Sequence, residues 1–117
     1  MKLTPELEAE FLRLEPTDNP ERYSWRKVDS LSEAQGMLFL CPKCYAAHGG
    51  PVGTHAVICW FRDRGVPDNA TPGPGRWTPA GTGLEDLTFT GPGAASVLLT
   101  GGCAWHGFIR DGEATLS

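Results

Sequence analysis

The sequence predicts an α+β domain that is mostly β: a small antiparallel sheet of short strands with one helix at the N-terminus. Three observations predict it. Glycine and proline are abundant, 15 and 10 of 117 residues, and both favour turns and short strands over long helices. The apolar residues fall in brief runs, of which Met37 to Cys41 and Ala56 to Phe61 are the longest. Clear helical spacing occurs once, near the start. A chain of this length is expected to form a single domain over residues 1–117. With 40% hydrophobic residues, four Trp and five Phe, it has the composition of a globular chain with a modest core.

The helix is expected over residues 4–14. Thr4 is an N-cap hydroxyl, Pro5 suits the first helical position and Glu6 suits the positive end of the dipole. Leu7, Phe11 and Leu14 then share one helical face, and Pro16 ends the run. Residues 16–35 are polar. Within them, Ser30 to Gln35 reads as a short helical turn with Glu33 in capping-box position.

The stretch Gly36 to Cys41 reads as a buried strand that delivers Cys41 at its end. Residues 45–53 read as loop. Thr54 to Arg62 is the clearest strand: His55, Val57, Cys59 and Phe61 alternate with Ala56, Ile58 and Trp60. Both of its faces are apolar, which predicts a central strand. Residues 63–83 hold four Pro and five Gly and read as a long irregular loop. Leu87 to Thr90, Ala95 to Thr100 and Gly107 to Arg110 read as short strands punctuated by Gly-Pro-Gly and Gly-Gly.

Four cysteines and three histidines carry the chemistry. Cys41-Pro42-Lys43-Cys44 and Cys103-Ala104-Trp105-His106 each place two donors two residues apart, a spacing that lets both grip one ion from a tight turn. Each pair follows an apolar, strand-like run. Zinc takes four such thiolate and imidazole donors in a tetrahedron. The pattern therefore predicts a Zn²⁺ clamp of two zinc-ribbon-like knuckles on a β core of residues 36–110. Its ligands are Cys41, Cys44, Cys103 and His106, with His48 as the alternate fourth ligand. A closed set of four makes the zinc structural and adds its binding energy to folding. Loop closure across the long intervening segment is inexpensive.

Two other readings stand beside the clamp. The thiols can be small buried residues with a core histidine, or Cys41 and Cys44 can form a redox pair. A thioredoxin-type pair sits at a helix N-terminus in a βαβ unit, and the run Tyr45 to Pro51 promises no lasting helix. His55 and Cys59 lie about 13 Å apart on a regular strand, at roughly 3.3 Å per residue, and so are not joint ligands. Cys59 is expected as a buried thiol and His55 as a core or pocket histidine.

Several classes are excluded by pattern. The deaminase signature, the HExxH metalloprotease motif, the GxSxG elbow, the phosphate-binding P-loop and the dinucleotide fingerprint are all absent. The formal charge of −4 disfavours binding to nucleic acid, and Arg22, Arg26 and Lys27 read as a solvated face. The residues after Met1 lack a signal-peptide apolar core, and no run is long enough to span a bilayer. A cytoplasmic protein is expected, with no membrane association.

The run RWTPAGTGLEDLTFTGPGAASVLLTGGCAWHGFIRDGEA, from Arg76, together with the upstream FLCPKC, resembles a small domain family common in phages and prophages. The resemblance covers about residues 36–115. It rests on a Trp-bearing strand, a Ser-Val strand and a Cys-x-x-His pair followed by Phe-Ile-x-x-Gly. Some members carry the name ammonia monooxygenase, for which this chain has neither the spans nor the ligands. Other relatives sit beside bacterial ubiquitin-like conjugation genes.

The resemblance implies a zinc-binding accessory or virion-associated protein, located in the host-cell cytoplasm or in the virion, that acts by contact with a phage or host protein. Exposed Trp77 and Trp105 would mark such a patch, although core packing is the readier role for each. The alternative is a small hydrolase or peptidase of ubiquitin-like tails. Its catalytic candidates are His55 or His48 as base and Cys59 or Ser96 as nucleophile.

Overall fold

The computed structural model describes residues 1–19, 23–70, 75–91, 96–98 and 104–115. These residues are mostly β. Strands β1 (Glu10–Pro16), β2 (Tyr23–Val28), β3 (Gly36–Leu40) and β4 (Ala56–Trp60) form an antiparallel sheet in the order β2-β1-β3-β4. One helix, α1 (Pro42–His48), lies between β3 and β4. Three two-stranded ladders follow: β5 (Thr78–Ala80) with β6 (Thr88–Thr90), β7 (Val97–Leu98) with β8 (His106–Gly107), and β9 (Ile109–Arg110) with β10 (Glu113–Ala114). No helix among the described residues is long and apolar enough to cross a membrane.

The sheet has apolar residues on both faces, which explains its unbroken apolar runs. Phe11, Met37, Phe39, Val57 and Cys59 pack on one face into the main core, with Leu3, Leu7, Leu87, Val97, Trp105, Ile109 and Ala114. On the other face Leu12 and Trp60 are buried with Ala70, and Leu14, Leu38, Ile58 and Val66 pack around them. Gly36 allows this second cluster. A Cβ there would collide with the Trp60 ring and come within 2.9 Å of the Cys59 carbonyl.

The N-terminal helix expected over residues 4–14 does not form. Residues 3–7 make turns around a cis Thr4–Pro5 peptide. Leu3 and Leu7 are buried there, and the Leu7 carbonyl accepts from the Leu40 N–H at 2.9 Å. From Glu10 onward the chain is β1, with Phe11 and Leu12 buried on opposite faces of the sheet. Apolar Leu12 is the residue that breaks helical spacing. Burial on two faces outweighs a favourable local cap, because propensity is the weaker term.

Two further expectations change. β4 is an edge strand of this sheet, and β1 and β3 are the central ones. Its second apolar face is covered by the 66–70 segment, and its end bridges Trp77. Ser30 to Gln35 is a turn without a capping box: Ser30 Oγ lies 3.1 Å from Ser32 Oγ. Gln35 joins three strands there. Its N–H donates to Leu12 O, its carbonyl accepts from Phe61 N–H, and its side-chain Oε1 accepts from Leu14 N–H. The 63–83 loop contains β5, and Arg76 ties its described part together through the carbonyls of Pro67 and Ala70.

Candidate metal centre

β3 ends at Leu40, and Cys41 follows as the N-cap of α1 with extended backbone angles. Buried Pro42 takes the first helical position, where its missing N–H is harmless. The helix then brings Cys44, three residues on, to the same side as its cap. Gly49 closes α1 in the left-handed conformation at φ 70°. The chain folds back through Thr54, whose Oγ1 donates to Gly50 O at 2.8 Å.

The β3–β4 register runs from Gly36 opposite Trp60 to Leu40 opposite Ala56. One residue further along, Cys41 faces His55, and Cys41 N–H donates to His55 O at 2.9 Å. The ligand atoms of Cys41, Cys44 and His55 therefore lie within 4.8 Å of one another. It is the one group of three such donors among the described residues. Cys41 is buried, Cys44 half-buried and His55 exposed. The cluster sits at the protein's surface and could bind a metal ion.

His55 Nδ1 lies 3.2 Å from Ala56 O. In the neutral tautomer protonated at Nδ1, that contact is a hydrogen bond and Nε2 is left as the lone-pair donor. A backbone carbonyl holding the other ring nitrogen is the usual arrangement behind a metal-bound histidine.

This assignment corrects the expectation of His55 as a core or pocket histidine. The two histidines favoured by spacing lie outside the cluster. His106 is exposed on β8, opposite Leu98, with its ring 6.3 Å from that of Phe108. His48 is the exposed last residue of α1, and its ring lies against Gly53. Cys103 lies outside the described residues. The signal that would have found His55 is the hairpin register: two apolar runs joined as neighbours put Cys41 across from His55.

The redox reading changes too. Cys41 does cap a helix, which takes in Tyr45 to His48 of the expected loop, but it ends at His48 and is as short as the run Tyr45 to Pro51 implies. Yet β3 and β4 run antiparallel and adjacent, unlike the parallel βαβ unit of thioredoxins.

Cys59 is a free, buried thiol opposite Met37, and desolvation pushes its pKa far above the ordinary thiol range. A thiol held protonated is a poor nucleophile. Ser96 is half-buried, and its carbonyl accepts from Trp77 Nε1 at 3.1 Å. Trp105 is buried, meeting Phe39 edge-on at 5.8 Å. Trp77 is half-buried and stacks on Phe89 at 5.6 Å. Neither tryptophan forms an exposed patch. The exposed large apolar side chains among the described residues are Tyr23, Trp25, Val52 and Leu98.

The architecture and cluster define the class: a mostly β domain with a Cys₂His candidate metal centre at the mouth of a helix-bearing hairpin. No family model matches the chain, and no curated protein or solved structure shows significant similarity to it.

Proposed function

We propose that this protein is a zinc-stapled interaction module, with a structural Zn²⁺ held by Cys41, Cys44 and His55 and by Cys103 as fourth donor. The observation that carries the reading is the convergence of two thiols and an imidazole within 4.8 Å. Donors bound at about 2.3 Å in a tetrahedron stand about 3.8 Å apart, inside that limit, and this soft, nitrogen-and-sulfur set suits zinc. The ion would join the end of β3, the start of α1 and the approach to β4. These are three backbone segments that a domain of this size gains by tying together.

Cys103 is carried as the fourth donor from the sequence alone: of the four cysteines it is the one left after Cys41, Cys44 and the core thiol Cys59. With four protein donors the ion has no open position, so it stabilises the fold and the protein acts by contact. The phage or prophage accessory role implied by the family resemblance fits a module of that kind. The hydrolase alternative draws no support from a Cys59 held protonated in the core.

Metal analysis of the purified chain tests the reading. One zinc per chain is expected, retained in His106→Ala and lost in Cys44→Ser and His55→Ala. Cobalt substitution separates the donor sets even where a variant folds poorly, because thiolate-to-metal charge transfer scales with the number of thiolates. A three-thiolate spectrum that falls to two in Cys103→Ala supports the set. Metal-free folded protein overturns it.

A further inference from the structure

β2 is the outer strand of the sheet, and among the described residues nothing pairs with its far edge. The ladder fixes which of its groups that edge presents. Leu12 O accepts from Gln35 N–H, and Leu14 N–H donates to the Gln35 side chain. The even-numbered residues of β1 thus direct their main-chain groups toward β3. Alternation turns Phe11, Arg13 and Glu15 toward β2. Their partners there are Val28, Arg26 and Ser24. The N–H and C=O groups of Tyr23, Trp25 and Lys27 consequently point away from the sheet.

Those three residues are spaced symmetrically about Trp25. We propose that β2 pairs with β2 of a second copy of this chain, antiparallel and centred on Trp25, making one eight-stranded sheet across a two-fold axis. This proposal names the contact surface for the interaction reading and rests on that reading. It does not depend on the zinc.

Self-complementarity is what selects a second copy. In this register Trp25 faces Trp25 of the partner subunit, and Tyr23 faces the partner's Lys27. Every outward N–H and C=O of the three residues finds a partner. An edge centred one residue to either side would leave some of them unmatched. The charges agree as well. Lys27 meets an aromatic ring and no second lysine, a cation–π arrangement, and Arg26 meets the partner's Ser24. Each cation also keeps its own carboxylate: Arg26 to Glu15 at 3.3 Å and Lys27 to Glu10 at 2.9 Å. Trp25 and Tyr23 are 39% and 38% exposed, on a strand whose open edge is a ready template for pairing.

The test is solution mass of the full chain by sedimentation, with circular dichroism and metal content measured alongside. The wild type is expected at twice the chain mass. Of the main-chain groups, Trp25→Pro removes only an outward N–H, and Pro is tolerated on an edge strand, so the variant is expected at single-chain mass with its β spectrum and metal content retained. Trp25→Cys is expected to form a two-chain disulfide under mild oxidation. Hydrogen-bonded antiparallel partners have Cα atoms about 5.5 Å apart, within disulfide reach. Ser24→Cys, facing the partner's Arg26, is not expected to do so. A single-chain mass for the wild type overturns the proposal, as does a two-chain mass retained by Trp25→Pro or equal crosslinking of both cysteine variants. A single-chain wild type that still holds zinc would sink the pairing alone. A two-chain protein without metal would sink the zinc alone.

Discussion

Cys41 N–H donates to the His55 carbonyl at 2.9 Å, and that single main-chain bond brings a strand-end cysteine and a strand-start histidine side by side. The histidine's position follows from the ladder, not from metal binding. His55→Ala should therefore leave the β3–β4 hairpin formed while removing the imidazole donor. Expected is loss of bound metal with the β spectrum largely retained, read by metal analysis and circular dichroism. His106→Ala, on a separate ladder, should bind metal as the wild type does.

Chelation should lower stability by mass action. With free zinc about 1,000-fold above its dissociation constant, the bound ion contributes about 4 kcal/mol. EDTA is expected to lower the melting temperature and to make it dependent on added zinc. Calorimetry at two zinc concentrations reads this directly. A melting temperature indifferent to both reagents would contradict a metal-stabilised fold.

Part of this arrangement is legible in the sequence and part is not. The strands Gly36–Leu40 and Ala56–Trp60 are readable because every residue in them is apolar or small, and Cys41-x-x-Cys44 announces itself by spacing. His55 does not, because its proximity to Cys41 exists only once two strands are paired in register. Ligand spacing along the chain is local, whereas the hairpin supplies a donor from fourteen residues downstream of Cys41. The N-terminus misleads for the opposite reason. Thr4, Pro5 and Glu6 form a good local helix start, but Leu3 and Leu7 are held in a turn by Gly112 and Leu40, which lie far along the chain. Trp105 is also hidden from local reading, since its burial depends on Phe39.

Gly36 should be intolerant of any side chain. The Trp60 ring covers it, and the Cys59 carbonyl, fixed by the β3–β4 ladder, blocks the other way out. Gly36→Val suits a strand by propensity, so intrinsic preference alone would predict gain. Overpacking is expected to win and to cost about 1–3 kcal/mol. Denaturant unfolding, followed by circular dichroism and by tryptophan fluorescence, measures the sign.

Trp105 should be among the most costly side chains to truncate. It is buried, packs edge-on against Phe39, and its Nε1 donates to Thr115 O at 3.0 Å. Trp105→Ala is expected to destabilise by about 3–5 kcal/mol. Trp105→Phe, which keeps an aromatic ring but leaves the Thr115 carbonyl without its donor, should cost less. Near-equal costs for the two variants would show that the hydrogen bond, missing from both, and not the packing, anchors this segment.

Asp86 provides the pH dependence that can be assigned. Its carboxylate accepts from Gly83 N–H, from Thr82 N–H and from the Thr82 hydroxyl. The Gly83 bond, followed by those from Thr82, holds its pKa below the ordinary carboxylate value. A depressed folded-state pKa means that the unfolded chain takes up the proton first as pH falls. The contribution is therefore complete above the ordinary carboxylate pKa, and it is lost as pH drops through the lower, folded-state value. Asp86→Asn should flatten that acid limb by lowering stability at neutral pH, where the contribution is complete, and the loss should be small because the side chain is exposed. Its amide oxygen can still accept from Gly83, whereas Asp86→Ala removes every acceptor of the 82–86 turn. Urea midpoints of the three proteins, measured from neutral pH into the acid range, should converge at the acid end. Curves that remain parallel throughout would mean that the turn holds without the charge.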